Sequence, residues 1–110
     1  MLSNAAEKVY CEEDNKVYLS TVSEWEIALK YSIGRLELPT NPQIYIPEQR
    51  EKHGIRMLLL DEISSLNVGN LEKIHKDPFD RMLVSQSIIN GYPMITPDEL
   101  VRRYPIHTIW

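Results

Sequence analysis

His75-Lys76-Asp77-Pro78-Phe79-Asp80-Arg81 is the stretch on which the reading of this chain turns. Asp77 has the side chain of a helix N-cap, Pro78 suits the first helical position, and Asp80 would face the positive end of the helix dipole. The pattern that follows predicts a helix over Pro78–Asn90, with Phe79, Met82, Leu83 and Ile89 on one face and Gly91 beyond its end. Val84 and Ile88 add a second apolar face, so this helix is expected to be well buried.

Working outward, Ile55–Leu60 is an apolar run of strand length, suited to a strand covered on both faces. Asp61–Leu71 is weakly helical. Beyond Gly91, Met94-Ile95-Thr96 reads as a short strand, Pro97–Arg103 as a short helix, and Ile106–Trp110 as a closing strand. On the N-terminal side, residues 2–13 carry Leu2, Ala5, Ala6, Val9 and Tyr10 on one helical face, and Asp14-Asn15 breaks it. Lys16–Ser20 reads as a strand, and Ser23 opens a helix that Gly34 stops. Pro39, Pro42 and Pro47 predict an irregular connection or short broken helices over 39–47, followed by a short helix over Pro47–His53 that ends at Gly54. Strands alternating with helices predict a three-layer α/β fold with a mainly parallel sheet.

A chain of 110 residues implies one small domain. Its apolar fraction of 43% can fill a core, which argues against disorder. A net charge of −4 argues against broad nucleic-acid affinity, yet permits an acidic metal site. The single cysteine, Cys11, cannot form an internal disulfide, which fits a reducing cytoplasm; it reads as a buried, inert thiol. No signal-peptide pattern opens the chain, and the apolar run Met57–Leu60 is too short for a membrane span. A cytoplasmic protein with no membrane association is the expectation.

Glu26, Asp80 and Asp98 each fall in the first turn of a predicted helix. In an open parallel sheet such junctions gather at the carboxyl ends of the strands, where ligands bind, and three carboxylates there would suit a hard divalent cation. Each acid also has a structural explanation. Ser23 and Glu26 match a capping box, Glu26 can pair with Lys30, and Thr96-Pro97-Asp98-Glu99 repeats the start seen at Asp77. Spacing alone leaves both readings open. His75 precedes the Asp77 cap and could approach the site, but it reads more readily as a solvated loop residue than as a ligand, since no second histidine sits at ligand spacing. Arg81, Arg102 and Arg103 could touch RNA phosphates but read more readily as solvated surface cations, and Trp25 and Trp110 read as core or rim packing rather than base-stacking platforms. There is no glycine-rich phosphate loop, zinc motif or Ser-His-Asp arrangement.

Two blocks carry a resemblance. Ser20–Leu38, STVSEWEIALKYSIGRLEL, and Asp77–Ser87, DPFDRMLVSQS, resemble signature blocks of PIN-domain proteins, in particular VapC-like toxins of type II toxin–antitoxin pairs. EKHGIRMLLL is similar to that family's middle strand and its approach, and ITPDELVRRYPIHTIW to its last strand, turn, helix and strand. The resemblance implies a three-layer α/β/α PIN-like fold and an endoribonuclease using one or two Mg²⁺ or Mn²⁺ ions. It places metal-binding acids at Glu26, Asp80 and Asp98, with Thr96 in support and Asp77 as a cap more than a ligand. It further implies a cognate antitoxin, an RNA substrate and a homodimer. The family's opening apolar strand, read as L-L-D-T-H, has no counterpart here, so the first strand and its acid are expected to be lacking and activity to be weak or absent. A late gene start and a decayed toxin both fit that departure. The competing reading is a non-catalytic PIN module that binds an antitoxin or self-associates. A receiver-like phospho-acceptor domain would need paired acids after its first strand and a lysine at a late strand end, and neither occurs.

Overall fold

The computed structural model of the chain describes residues 3–12 and 15–110. It is a mixed α/β protein of helices and short parallel strands, as the alternation predicted. The residues form two compact units, one of Lys16–Leu59 and one of the described part of 1–15 together with Leu60–Trp110.

In the Lys16–Leu59 unit, β1 (Tyr18–Ser20) pairs in parallel with β2 (Arg56–Leu58), with Leu19 opposite Met57. The crossover between them carries α2 (Thr21–Ser32) and α3 (Pro42–Lys52). The cap of α2 is Ser20, whose hydroxyl accepts from Val22 N at 3.1 Å, so the helix starts before the expected Ser23 and the Ser23–Glu26 capping box does not form. Gly34 follows the helix at φ +75°, a left-handed turn that a side chain would disfavour. α3 corrects the expected broken segment. Asn41 caps it by accepting from Ile44 N at 3.1 Å, Pro42 opens it, and Pro47 lies inside it. Pro47 forfeits only the hydrogen bond to the carbonyl of residue 43, and Gln43 is exposed, where water can replace the missing donor. Val22 and Ile46 are buried, and Arg50 Nε of α3 lies 3.7 Å from Glu24 Oε2 of α2. β2 is shorter than the predicted Ile55–Leu60, and Met57 is 44% exposed, so the expectation of a strand covered on both faces fails.

In the other unit, Ser3 caps α1 (Asn4–Cys11) through Ala6 N, and Ala6 is fully buried. The expected roles of Leu2 and Asp14 lie outside the described residues. Cys11 is exposed, not buried. Asp61 caps α4 (Glu62–Asn67), which passes into a 3₁₀ turn at Val68–Asn70. α5 (Pro78–Asn90) starts and stops where the sequence placed it. Asp77 accepts from Phe79 N at 2.8 Å and Asp80 N at 3.3 Å, and Gly91 closes the helix at φ +68°. Its buried residues, however, are Val84, Ser85, Gln86 and Ser87, while Ile89 is exposed. The polar ones are tolerated because they are bonded: the Ser85 hydroxyl donates to the Ser64 carbonyl, and that of Ser87 to the Tyr92 carbonyl. β3 (Met94–Ile95) pairs in parallel with β4 (Thr108–Ile109). The helix expected over Pro97–Arg103 shrinks to a 3₁₀ turn at Val101–Arg103. Val84, Val101 and Tyr104 form this unit's core, flanked by Leu71, Ile74, Ile88, Met94 and Ile106.

Candidate functional site

Three local structures in the second unit converge. The first is the start of α5. Asp77 caps the amides of Phe79 and Asp80, and Asp80 itself stands in the first turn of the helix. The second is the turn after β3. The buried Thr96 hydroxyl accepts from Asp98 N at 3.0 Å. Asp98 Oδ1 in turn accepts from Leu100 N at 2.9 Å and Val101 N at 3.2 Å. That fixes the carboxylate and leaves Oδ2 for the His75 ring.

The third is the loop before α5, which carries His75. Tyr104, 4% exposed, anchors it: its hydroxyl accepts from His75 N at 2.9 Å and donates to the Glu72 carbonyl at 3.0 Å. Arg81 grips the same loop. Its Nη1 donates to the carbonyls of Glu72 at 3.0 Å and His75 at 3.4 Å and to Tyr104 Oη at 3.3 Å, and its Nη2 donates to the Val68 carbonyl at 3.2 Å. The planar fork of a guanidinium suits this task, since its donors reach several acceptors at once. Arg81 is therefore half-buried and structural, contrary to the expectation of a solvated cation.

The result is that His75 Nε2 lies 3.1 Å from Asp80 Oδ2 and 3.1 Å from Asp98 Oδ2. Ligand-capable atoms of these three residues all fall within 4.8 Å of one another. The His75 side chain is 12% exposed, while Asp80 and Asp98 are 27% and 36% exposed, so solvent reaches the carboxylates past a mostly covered ring. His75 holds the Asp98 carboxyl below the ordinary value of 3.8 by hydrogen bonding to it; partial desolvation opposes this, and the amides of Val101 and Leu100 assist. The group has the donor chemistry of a divalent-cation site, two hard carboxylate oxygens beside an imidazole.

Sequence reasoning named Asp80, Asp98, Thr96 and Asp77, favoured solvation for His75 and Arg81, and gave Tyr104 no role. Only His75 left a signal, its place two residues before a capping aspartate. Glu26 belongs to the Lys16–Leu59 unit, where its carboxylate pairs with Lys30 Nζ at 2.9 Å across one helical turn. For the two tryptophans, exposure removes the core alternative and leaves the rim one. Trp25 is 60% exposed and Trp110 38%, so neither is a core residue. Among the described residues no helix is long and apolar enough to cross a membrane. Comparison with protein-family models finds no match to the chain, and comparison with curated proteins finds none.

Proposed function

We propose that the chain is a VapC-like PIN-domain protein, a metal-dependent endoribonuclease toxin of a type II toxin–antitoxin pair, with a three-layer PIN-like arrangement. The observation that carries the reading is the meeting of Asp80 and Asp98, five and 23 residues beyond His75 in the sequence, at one imidazole nitrogen 3.1 Å from each. These are two of the three acids that the sequence resemblance singles out. The resemblance alone adds Glu26 as the third.

Asp80 and Asp98 would hold Mg²⁺ or Mn²⁺, both hard cations suited to carboxylate oxygen. Such an ion, when bound, lowers the pKa of a water and offsets charge on a phosphate. The chain's own part is positional. Asp98 is oriented by Thr96 and by two turn amides, which leaves one oxygen for a ligand. Asp80 is presented by a capped helix whose positive end favours an anion, whether the carboxylate itself or a nearby RNA phosphate. The pair lies near solvent, where a polymer can approach.

The test is cleavage of a structured RNA by the purified chain, with and without Mn²⁺, using Asp80→Asn and Asp98→Asn as blanks. Metal-dependent cleavage lost in both variants supports the reading. Cleavage that survives both substitutions refutes it.

A second reading, a non-catalytic module that binds an antitoxin or a second copy of itself, is favoured by α2 and its C-cap. Trp25 and Leu29 of the helix and Ile33 at the cap recur at intervals of four residues and are 60%, 43% and 58% exposed. Residues so spaced share one helix face, and an apolar face of this kind suits a protein partner. A stable complex with the neighbouring gene product, from protein that cleaves no RNA, would favour this second reading.

A further inference from the structure

The hydrogen bonds around His75 define which of its nitrogens is available. Nδ1 accepts the Asp77 N–H at 3.1 Å, so its in-plane lone pair is taken. A neutral imidazole has one such lone pair and one N–H, and the N–H must then sit on Nε2. Nε2 is the atom 3.1 Å from both Asp80 Oδ2 and Asp98 Oδ2. One N–H is therefore shared by two carboxylates that would otherwise repel.

Coordination of a cation through Nε2 needs a lone pair there. The ring cannot supply it while the Asp77 amide holds Nδ1, because both nitrogens would then have to be unprotonated. We infer that His75 is a placeholder and not a ligand: its Nε2–H occupies the position between Asp80 and Asp98 that a divalent cation takes, and cation binding displaces the ring. This rests on the metal reading proposed above. The backbone of residue 75 is pinned by Tyr104 and Arg81, so displacement is a rotation of the side chain that breaks the Asp77 N–H contact while the loop stays in place. His75 thus preserves the two-carboxylate geometry in the metal-free protein and competes with the metal for it.

Two measurements decide the matter. In the unaltered, metal-free protein, imidazole ¹⁵N shifts should show His75 as the Nε2–H tautomer, and saturating Mg²⁺ should shift the Asp77 amide resonance as its acceptor leaves. The Nδ1–H tautomer would overturn the inference whatever the metal does. Mn²⁺ titration, followed by the loss of free-ion electron paramagnetic resonance at one fixed pH, should give His75→Ala an affinity about tenfold above the parent, the worth of one charge-assisted hydrogen bond. Asp80→Asn and Asp98→Asn should both bind more weakly than the parent. Weaker binding by His75→Ala than by the parent makes His75 a ligand and refutes the placeholder while keeping the metal site. Absence of Mn²⁺ binding in parent and His75→Ala alike overturns the metal reading and the displacement with it.

Discussion

Replacing Tyr104 by Phe removes one oxygen and leaves the ring, which isolates the hydrogen bonding that holds the His75 loop. The hydroxyl has three partners: the His75 amide, Arg81 Nη1 and the Glu72 carbonyl. Two of the three are covered without it. The Glu72 carbonyl still accepts from Arg81 Nη1 at 3.0 Å and Ile74 N at 2.9 Å, and Arg81 keeps the carbonyls of Glu72, His75 and Val68. Only the His75 amide loses its acceptor, in a half-buried position. Orphaning such a donor costs about 2 kcal/mol, and no cavity forms because the ring stays. For a chain of this size that corresponds to a fall in Tm of roughly 10 °C. Tyr104→Ala should cost more, about 3–5 kcal/mol, since it also empties the core around Val84 and Val101. Urea and thermal unfolding of the three proteins would measure the differences. A Tyr104→Phe protein within about 2 °C of the parent would refute the account of how the loop is held.

Asp77→Ala should lose about 1 kcal/mol of stability as two helix amides lose their cap, with Mn²⁺ affinity little changed, both read from one set of unfolding and titration curves. Glu26→Gln removes one exposed helix pair worth roughly 0.3 kcal/mol; an unchanged Tm together with lost RNA cleavage would mark Glu26 as the third acid, and unchanged cleavage would remove it. Because the Asp98 carboxyl is held below 3.8 in the folded chain, its contribution is present above that value and disappears as pH falls through the lower folded value. Asp98→Asn should therefore flatten the acid limb of a urea-midpoint profile taken between neutral and strongly acidic pH, and an acid limb of unaltered slope would contradict this.

The features legible in the sequence are those whose cause lies within a few residues. α5 begins at Asp77-Pro78 and ends at Gly91 because a cap, a proline and a left-handed glycine act on the adjacent backbone alone. The same locality makes Glu26–Lys30 readable, one turn apart on one helix. Local signals also misled where several were in competition: Ser20 captured the start of α2 ahead of Ser23, and Pro47 was absorbed into α3 behind the stronger cap of Asn41 and Pro42. Burial was the least readable property. The sequence assigned the buried faces of α5 to apolar residues, yet Ser85, Gln86 and Ser87 are buried too, and partners distant in sequence such as the Ser64 carbonyl make this tolerable. Asp80 and Asp98 could be chosen from the chain as acids at helix starts, but nothing local says that they meet. Their approach to a single nitrogen of His75 depends on Tyr104 and Arg81 fixing a loop 29 and six residues away in sequence, through hydrogen bonds that exist only once the core around Val84, Val101 and Tyr104 has packed.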